Sequence, residues 1–340
     1  MTKVLFVGDS RKMKGGISSV MKTIEASYIW KKYQCYWLET QVNDSTLKKL
    51  LYLFGGIVKS IFRVPFYDVV FFQTSTGTAQ KSLLPIFLYS LLWRKKIIIE
   101  LHVGNQLRNF QDDKLFRFWC NKSDKVVVLG KTWMEYVPID DKTKVTYLYN
   151  PSPDVENQVK HEKYFLFAAY LDIIYKAYDT LIEGWSIFAK SHPEWKLVVC
   201  GSGEIDNLKR IINECDVEDS VVLPGWVSGD VRLKYFKEAY AYVMTSKMEG
   251  LPMSILESMA YGVPVITTPV GCLPEFLEHD KSALIFDFKD AEGLAVQMER
   301  IVKDTDKRMM LVQNAHELCK NNFVKERFTE RLEQIINDTI

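Results

Sequence analysis

Short apolar runs alternate with helix-length amphipathic stretches along almost the whole chain. In the first half the runs are KVLFVG, QCYWLET, DVVFFQT, KKIIIELH, KVVVLG and KVTYLYN; in the second they are YFLFAAYL, KLVVCG, VVLPGWV, AYVMTS and PVITTPV. The apolar residues are continuous rather than strictly alternating, which marks strands covered on both faces. Alternation with helices predicts parallel sheets built from βαβ units. The series runs twice, and the stretch between, Tyr149 to Tyr164 (YNPSPDVENQVKHEKY), is polar, aperiodic and carries two prolines. It reads as a linker. The expected fold class is therefore α/β, with two doubly wound Rossmann-like domains at 1–155 and 156–323. Ligands of such sheets bind at the carboxyl ends of the strands, which would place them in a cleft between the domains. A last helix, 324–340, is a candidate to return to the first domain.

With 340 residues, 47% of them hydrophobic, the chain can bury a sizeable core, and its length favours two domains over one. A formal net charge of +1 points to no polyanion, so nucleic acid is not an expected partner. The charge is unevenly spread. Residues 1–160 carry 24 Lys and Arg against 14 Asp and Glu, whereas residues 161–340 carry 20 against 29. Such asymmetry suits a domain that faces something anionic, a membrane surface or a phosphate-bearing substrate, although solvated helix faces would also produce it. The six cysteines are scattered with no CxxC pair, which fits a reducing compartment without structural zinc. The chain runs directly into a strand, so no signal peptide is expected. No apolar run reaches membrane-spanning length. The expected location is cytoplasmic.

Two stretches carry candidate chemistry. In FVGDSRKMKGGISSVMKTI, a strand ends near Gly8, a basic loop follows, and Gly15 and Gly16 precede a helix expected to begin near Ser18. Glycines there let backbone N–H groups approach a ligand, and a helix N-terminus favours an anion. A plain tight turn would look the same, and neither GxGxxG nor a P-loop is present. In TSKMEGLPMSILESMAYGVPVITTPVGCLPE, Glu249 and Glu257 flank GLPMSIL. Pro252 suits the first turn of a helix. That leaves Glu249 in the loop after a strand and Glu257 one to two turns into the helix, with the amides of Gly250, Leu251 and Pro252 passing between them. Glu257 could also be only a helix-end carboxylate, stabilised there by about 0.3–1 kcal/mol.

The second stretch resembles the signature of retaining nucleotide-sugar glycosyltransferases of family 4, which have the GT-B fold: Glu, seven residues, Glu, a small-residue helix, then G-x-P-V and G-G-x-x-E. GGISSV, ELHVGN, the NP after the sixth strand, YKAYDTLIEGW, LVVCGSGE and VVLPGWVS extend the resemblance over nearly the whole chain. It implies transfer of a sugar from a nucleotide-diphosphate sugar, with retention and without a cofactor or metal. By that resemblance Glu249 would bind hydroxyls of the transferred sugar and Glu257 the ribose. Gly15 and Gly16 would offer amides to the diphosphate and Lys176 positive charge. His102 would lie beside the anomeric centre, and Val227 would contact the base through its backbone.

The chain departs from the family pattern at three positions. Tyr170 stands where the family has the arginine that clamps the diphosphate together with the lysine, and a phenol offers one donor and no charge at pH 7. Ala177 replaces the glycine after the lysine, and Cys272 replaces the second glycine of the GG pair. Arg11, Lys12 and Lys14 are candidates to supply the missing charge. Asp304 to Asp306 spell the acidic triplet of metal-dependent transferases, but they sit in a charged helical tail and read as a solvated face.

The acceptor side is less specific. Thr46 to Phe66 and Ser82 to Lys96 are basic and strongly apolar, as segments that lie on an anionic bilayer are; ordinary helices buried on a sheet and edged with lysine would look similar. The expected function is a retaining glycosyltransferase of bacterial surface-polysaccharide synthesis, acting on a glycan or lipid-linked oligosaccharide at the inner membrane face. The alternatives are a nucleotide-sugar epimerase, against which the paired glutamates argue, and a non-catalytic relative, for which Tyr170 argues. A nicotinamide dehydrogenase is disfavoured by the missing glycine fingerprint.

Overall fold

The computed structural model describes residues 2–13, 15–75, 77–156 and 161–340. The chain divides into two compact units, Met1–Pro151 with Lys325–Ile340, and Ser152–Val324. The first contains β1 (Val4–Asp9), α1 (Gly16–Ala26), α2 (Tyr28–Lys32), β2 (Tyr36–Gln41), α3 (Thr46–Arg63), β3 (Val69–Thr74), α4 (Thr78–Leu92), β4 (Lys96–Leu101), α5 (Lys114–Lys122), β5 (Lys125–Val128) and β6 (Val145–Tyr147). The second contains β7 (Tyr164–Leu171), α6 (Ile173–Lys176), α7 (Tyr178–Ala189), β8 (Lys196–Gly203), α8 (Ile205–Glu214), β9 (Val221–Gly225), α9 (Gly229–Glu238), β10 (Ala241–Met244), α10 (Met253–Ala260), β11 (Val265–Thr267), β12 (Leu284–Ile285), α11 (Ala291–Lys303) and α12 (Thr305–Asn322). α13 (Lys325–Asn337) belongs to the first unit.

Each unit holds one six-stranded parallel sheet, ordered β2-β1-β3-β4-β5-β6 and β12-β11-β10-β7-β8-β9. The strands are the apolar runs of the sequence, and β1, β3, β4, β5 and β7 are buried along almost their whole length. In both sheets the strand order reverses beside the first strand, at β1/β3 and at β7/β10. Loops leaving the two strands of such a switch point diverge and open a crevice at their carboxyl ends.

Aromatic side chains dominate the packing. In the first unit the ring of Phe87 on α4 stacks on Trp119 of α5 at 3.9 Å, and Phe72 of β3 packs against both. In the second, Phe165, Trp185, Phe188 and Trp195 form one cluster.

Two details differ from the sequence reading. The first unit's first segment ends at residue 151 rather than 155, and the Ser152 amide, already in the second unit, donates to Phe323 O at 2.6 Å after α12. Part of the expected linker, 157–160, lies outside the described residues. α1 begins at Gly16, two residues before the expected Ser18.

The two basic apolar segments behave differently. α4 buries Leu83, Ile86 and Phe87 and is an ordinary core helix. α3 buries only Gly56 and Ser60. A Cβ on Gly56 would stand 2.8 Å from Thr40 Cγ2 and 3.1 Å from Glu39 O, so α3 meets β2 through its small-residue face. Its apolar stripe, Leu47, Leu50, Phe54, Ile61 and Phe62, is left exposed, Phe62 to 70%. Among the described residues, no helix is long and apolar enough to cross a membrane.

Candidate functional site

In the second unit the switch point brings together the ends of β7 and β10. After β7, Asp172 caps α6 by accepting from the amides of Ile174 and Tyr175, and this single turn delivers Lys176. After β10, Thr245 to Pro252 form a loop that leads into α10. The two loops are tied together: Thr245 Oγ1 donates to Lys176 O at 2.6 Å and the Lys247 amide to Tyr175 O at 2.8 Å. Lys176 Nζ then donates to Glu249 Oε1 at 2.5 Å, and Ser246 Oγ donates to the same oxygen at 2.8 Å.

The loop after β11 holds the other side. Thr268 Oγ1 donates to Ser246 O, and the Cys272 amide to Gly250 O at 3.0 Å. Gly271 has φ +64°, and a Cβ there would run into the carbonyl oxygen of Gly250. Only glycine suits a position that is both left-handed and in backbone contact. Leu251 and Pro252 are buried, and Pro252 occupies the cap position ahead of α10, so the chain turns sharply between Glu249 and Glu257.

Glu257 forms an ion pair with Arg232 of α9, whose guanidinium also lies 4.5 Å over the Phe236 ring. Burial raises the Glu257 carboxyl above its ordinary range, and Arg232 opposes that shift. The two glutamates are thus each matched with one cation. Tyr170, paired with Ser202 in the sheet, is 60% exposed. Val227 is buried just beyond Gly225, whose φ is +76°. Among the expected residues, the structure joins Lys176 directly to Glu249 and packs Gly250 against Gly271. It draws Arg232 and Ser246 into the same site.

In the first unit, Gly15 caps α1 and Gly16 opens it; Gly15 has φ +154° and open space beside it. Of the three candidate charges in this loop, Arg11 is committed elsewhere. It bonds Glu25 at 2.6 Å and Glu39, and it lies over Trp37 at 4.4 Å. Lys12 is exposed, and Lys14 lies outside the described residues.

His102 follows β4, its amide donating to Thr74 O at 2.9 Å. Beneath it are Glu100, fully buried, and Gln73, whose Nε2 donates to Glu100 Oε2 at 3.0 Å. Burial pushes the Glu100 carboxyl up to about 8 and His102 down to about 4. Both side chains are therefore neutral near pH 7.

The sequence reading missed Arg232, Gln73 and Glu100. A Glu inside the apolar run KKIIIELH was the available signal, since a buried charge is costly. Asp304 is a helix cap for α12, accepting from the Lys307 amide at 2.8 Å. Among the described residues no group of three or more His, Cys, Asp or Glu is arranged to hold a metal.

Residues 151–318, just under half of the chain and nearly all of the second unit, match the family described as Glycosyl transferases group 1. An uncharacterized glycosyltransferase of Haemophilus influenzae is 28% identical over 167 residues, which cover 48% of this chain and 46% of that protein. The lipopolysaccharide core biosynthesis glycosyltransferase LpsE of Rhizobium meliloti is 33% identical over 162 residues, 47% of this chain and 46% of LpsE. The chain spans under half the length of these two relatives. The crystal structure of Anabaena HepE in complex with UDP superposes with a TM-score of 0.79 over 99% of this chain and all of that one, at 16% identity. The fold is thus that of GT-B glycosyltransferases, with two Rossmann-like domains.

Gly271→Ala is expected to destabilise the protein by at least about 1 kcal/mol from the left-handed backbone alone, with the clash against Gly250 added. An unchanged urea midpoint would show that the two loops are not packed as described. Glu100 gives a pH-dependent outcome. Its folded value lies above its ordinary value of 4.5, so its contribution to stability is fully present below about pH 4.5 and is lost as the pH rises toward about 8. Glu100→Gln, which cannot ionise, should match the wild type near pH 4.5 and exceed it by a growing margin up to pH 8. Parallel unfolding curves for the two proteins across that range would rule this out.

Proposed function

We propose that this chain is a retaining glycosyltransferase of family 4 that takes a sugar from a nucleotide-diphosphate sugar and adds it to a glycan or lipid-linked oligosaccharide in bacterial surface-polysaccharide synthesis. The observation that carries the reading is the pair of glutamates at the strand ends of the second sheet, Glu249 held by Lys176 and Glu257 by Arg232. Both carboxylates have acceptor capacity that sugar hydroxyls can use, and Lys176 can exchange Glu249 for a phosphate. The family matched by residues 151–318 supports the reaction class. The role of LpsE in lipopolysaccharide core synthesis supports a surface glycan, and the UDP held by HepE supports a nucleotide donor.

The mechanism follows from the charge that develops. Breaking the bond between the anomeric carbon and the phosphate oxygen leaves a nucleoside diphosphate and a cation-like sugar. Lys176 and the amides around Gly15, Gly16, Gly250 and Leu251 would meet the departing anion without a metal. A preorganised donor of this kind is worth about 10²–10³ in rate. By the family resemblance, Glu249 would orient the transferred sugar and Glu257 the ribose, Val227 would meet the base, and His102 would act at the anomeric centre. A second reading, a non-catalytic relative, is favoured by one observation: Tyr170 at the expected arginine, with Arg11 committed to Glu25 and Glu39.

The exposed stripe of α3 supports the membrane side of the proposal. Leu50, Phe54 and Phe62 lie beside Lys48, Lys49, Lys59 and Arg63 on a helix that leaves its apolar face uncovered, an arrangement that can rest in an anionic interface.

Calorimetry with UDP, GDP, ADP and dTDP should find one nucleotide bound at micromolar Kd, weakened at least tenfold, or about 1.4 kcal/mol, by Lys176→Ala. No binding of any nucleotide would leave the non-catalytic reading in first place. Vesicles rich in anionic lipid should pellet the protein at low salt, and Phe54→Glu with Phe62→Glu should release most of it. Recovery in the supernatant for the wild type would remove the membrane from the proposal.

A further inference from the structure

Gln73, Glu100 and His102 form a polar row inside the first unit, at the carboxyl ends of β3 and β4. Gln73 lies opposite Glu100 in the sheet register, and His102, two residues further along, projects to the same side. Gln73 Nε2 donates to Glu100 Oε2 at 3.0 Å, and His102 Nε2 stands 3.7 Å from that oxygen. Glu100 Oε1, Gln73 Oε1 and His102 Nε2 are buried without a hydrogen-bond partner. Each such atom costs on the order of 1–3 kcal/mol.

A separation of 3.7 Å is too long for a hydrogen bond, but a small side-chain shift closes it, and catalytic hydrogen bonds are often long until the ligand arrives. One arrangement of protons gives Nε2 a donor and buries no net charge, leaving Glu100 Oε1 and Gln73 Oε1 as acceptors without a partner. A carboxylate would bury two anionic oxygens with a single amide donor. A carboxylic acid accepts from Gln73 and has a proton for the unpartnered Nε2. We propose that Glu100, anchored by Gln73, is a positioning residue for His102: as a neutral acid it donates to Nε2 and thereby holds the imidazole proton on Nδ1. His102 then presents an N–H rather than a lone pair to whatever approaches the strand ends. The link to sugar transfer rests on the function proposed above, whereas the tautomer itself does not.

The test is nitrogen-15 NMR of the imidazoles in protein labelled at histidine, at pH 7, with the His102 signals assigned by His102→Gln. The expected wild-type spectrum has Nδ1 protonated and Nε2 as a bare acceptor. Glu100→Gln, which keeps a donor at nearly the same place, should preserve that pattern, and Glu100→Leu should lose it. A wild-type proton on Nε2, or an identical tautomer in Glu100→Leu, would overturn the proposal. A turnover arm separates it from the function reading. If the tautomer behaves as expected, Glu100→Leu should lower kcat tenfold or more with little change in donor KM, and Glu100→Gln should recover most of the loss. Unchanged turnover in both Glu100→Leu and His102→Gln would remove His102 from catalysis while the tautomer result stood.

Discussion

The ion pair between Lys176 and Glu249 is the contact on which the organisation of the second unit turns. It spans two loops that reach each other only because β7 and β10 are neighbours at the point where the strand order reverses. Both loops are then fixed by backbone groups: Lys176 O and Tyr175 O accept from the β10 loop, and Gly250 O accepts from the loop after β11. One residue of this assembly is strained. Ala177, which follows Lys176, is in the left-handed region at φ 44° while being completely buried. An alanine there costs more than a glycine would. The strain falls immediately beside the cation.

The two units supply different electrostatics. The second carries paired ions, each carboxylate beside a cation, so Lys176 and Arg232 are kept in place without an anionic ligand. In the first unit, Glu100 and His102 are held uncharged by burial, and Arg11 is neutralised by Glu25 and Glu39. Burial of Glu100 costs stability as the pH rises through the range in which the unfolded carboxyl ionises and the buried one does not.

Most of the fold was legible because a parallel sheet covered on both faces needs continuous apolar runs, and among the described residues eleven of the twelve strands fall on one. β12 was missed because its two residues, Leu284 and Ile285, are too few to set a pattern. The loop between Glu249 and Glu257 was legible as well, since proline and glycine constrain the backbone wherever they stand. Arg232 was not. Its partner lies 25 residues further on, and an arginine on a mostly polar helix carries no local mark of the carboxylate it meets. Helix α3 failed in a different way: its periodicity gives an apolar face without saying which way that face points. Gly56 and Ser60 are its buried positions, and a Cβ at Gly56 would meet Thr40, so the small-residue side faces β2.

The charge count at the second site bears on how a donor would be held. Lys176 and Arg232 balance Glu249 and Glu257, so these four groups are neutral together, whereas an arginine at 170 would have made them net positive. A diphosphate entering such a site gains little from long-range attraction. Its binding must come from short contacts, Lys176 exchanging partners and backbone amides donating along the glycine turns, while Glu249, freed from the lysine, takes up hydroxyls instead. Affinity would then depend weakly on salt, and a sugar that satisfies Glu249 would add to what the nucleotide alone achieves, because the nucleotide by itself leaves that carboxylate without the cation it has given up.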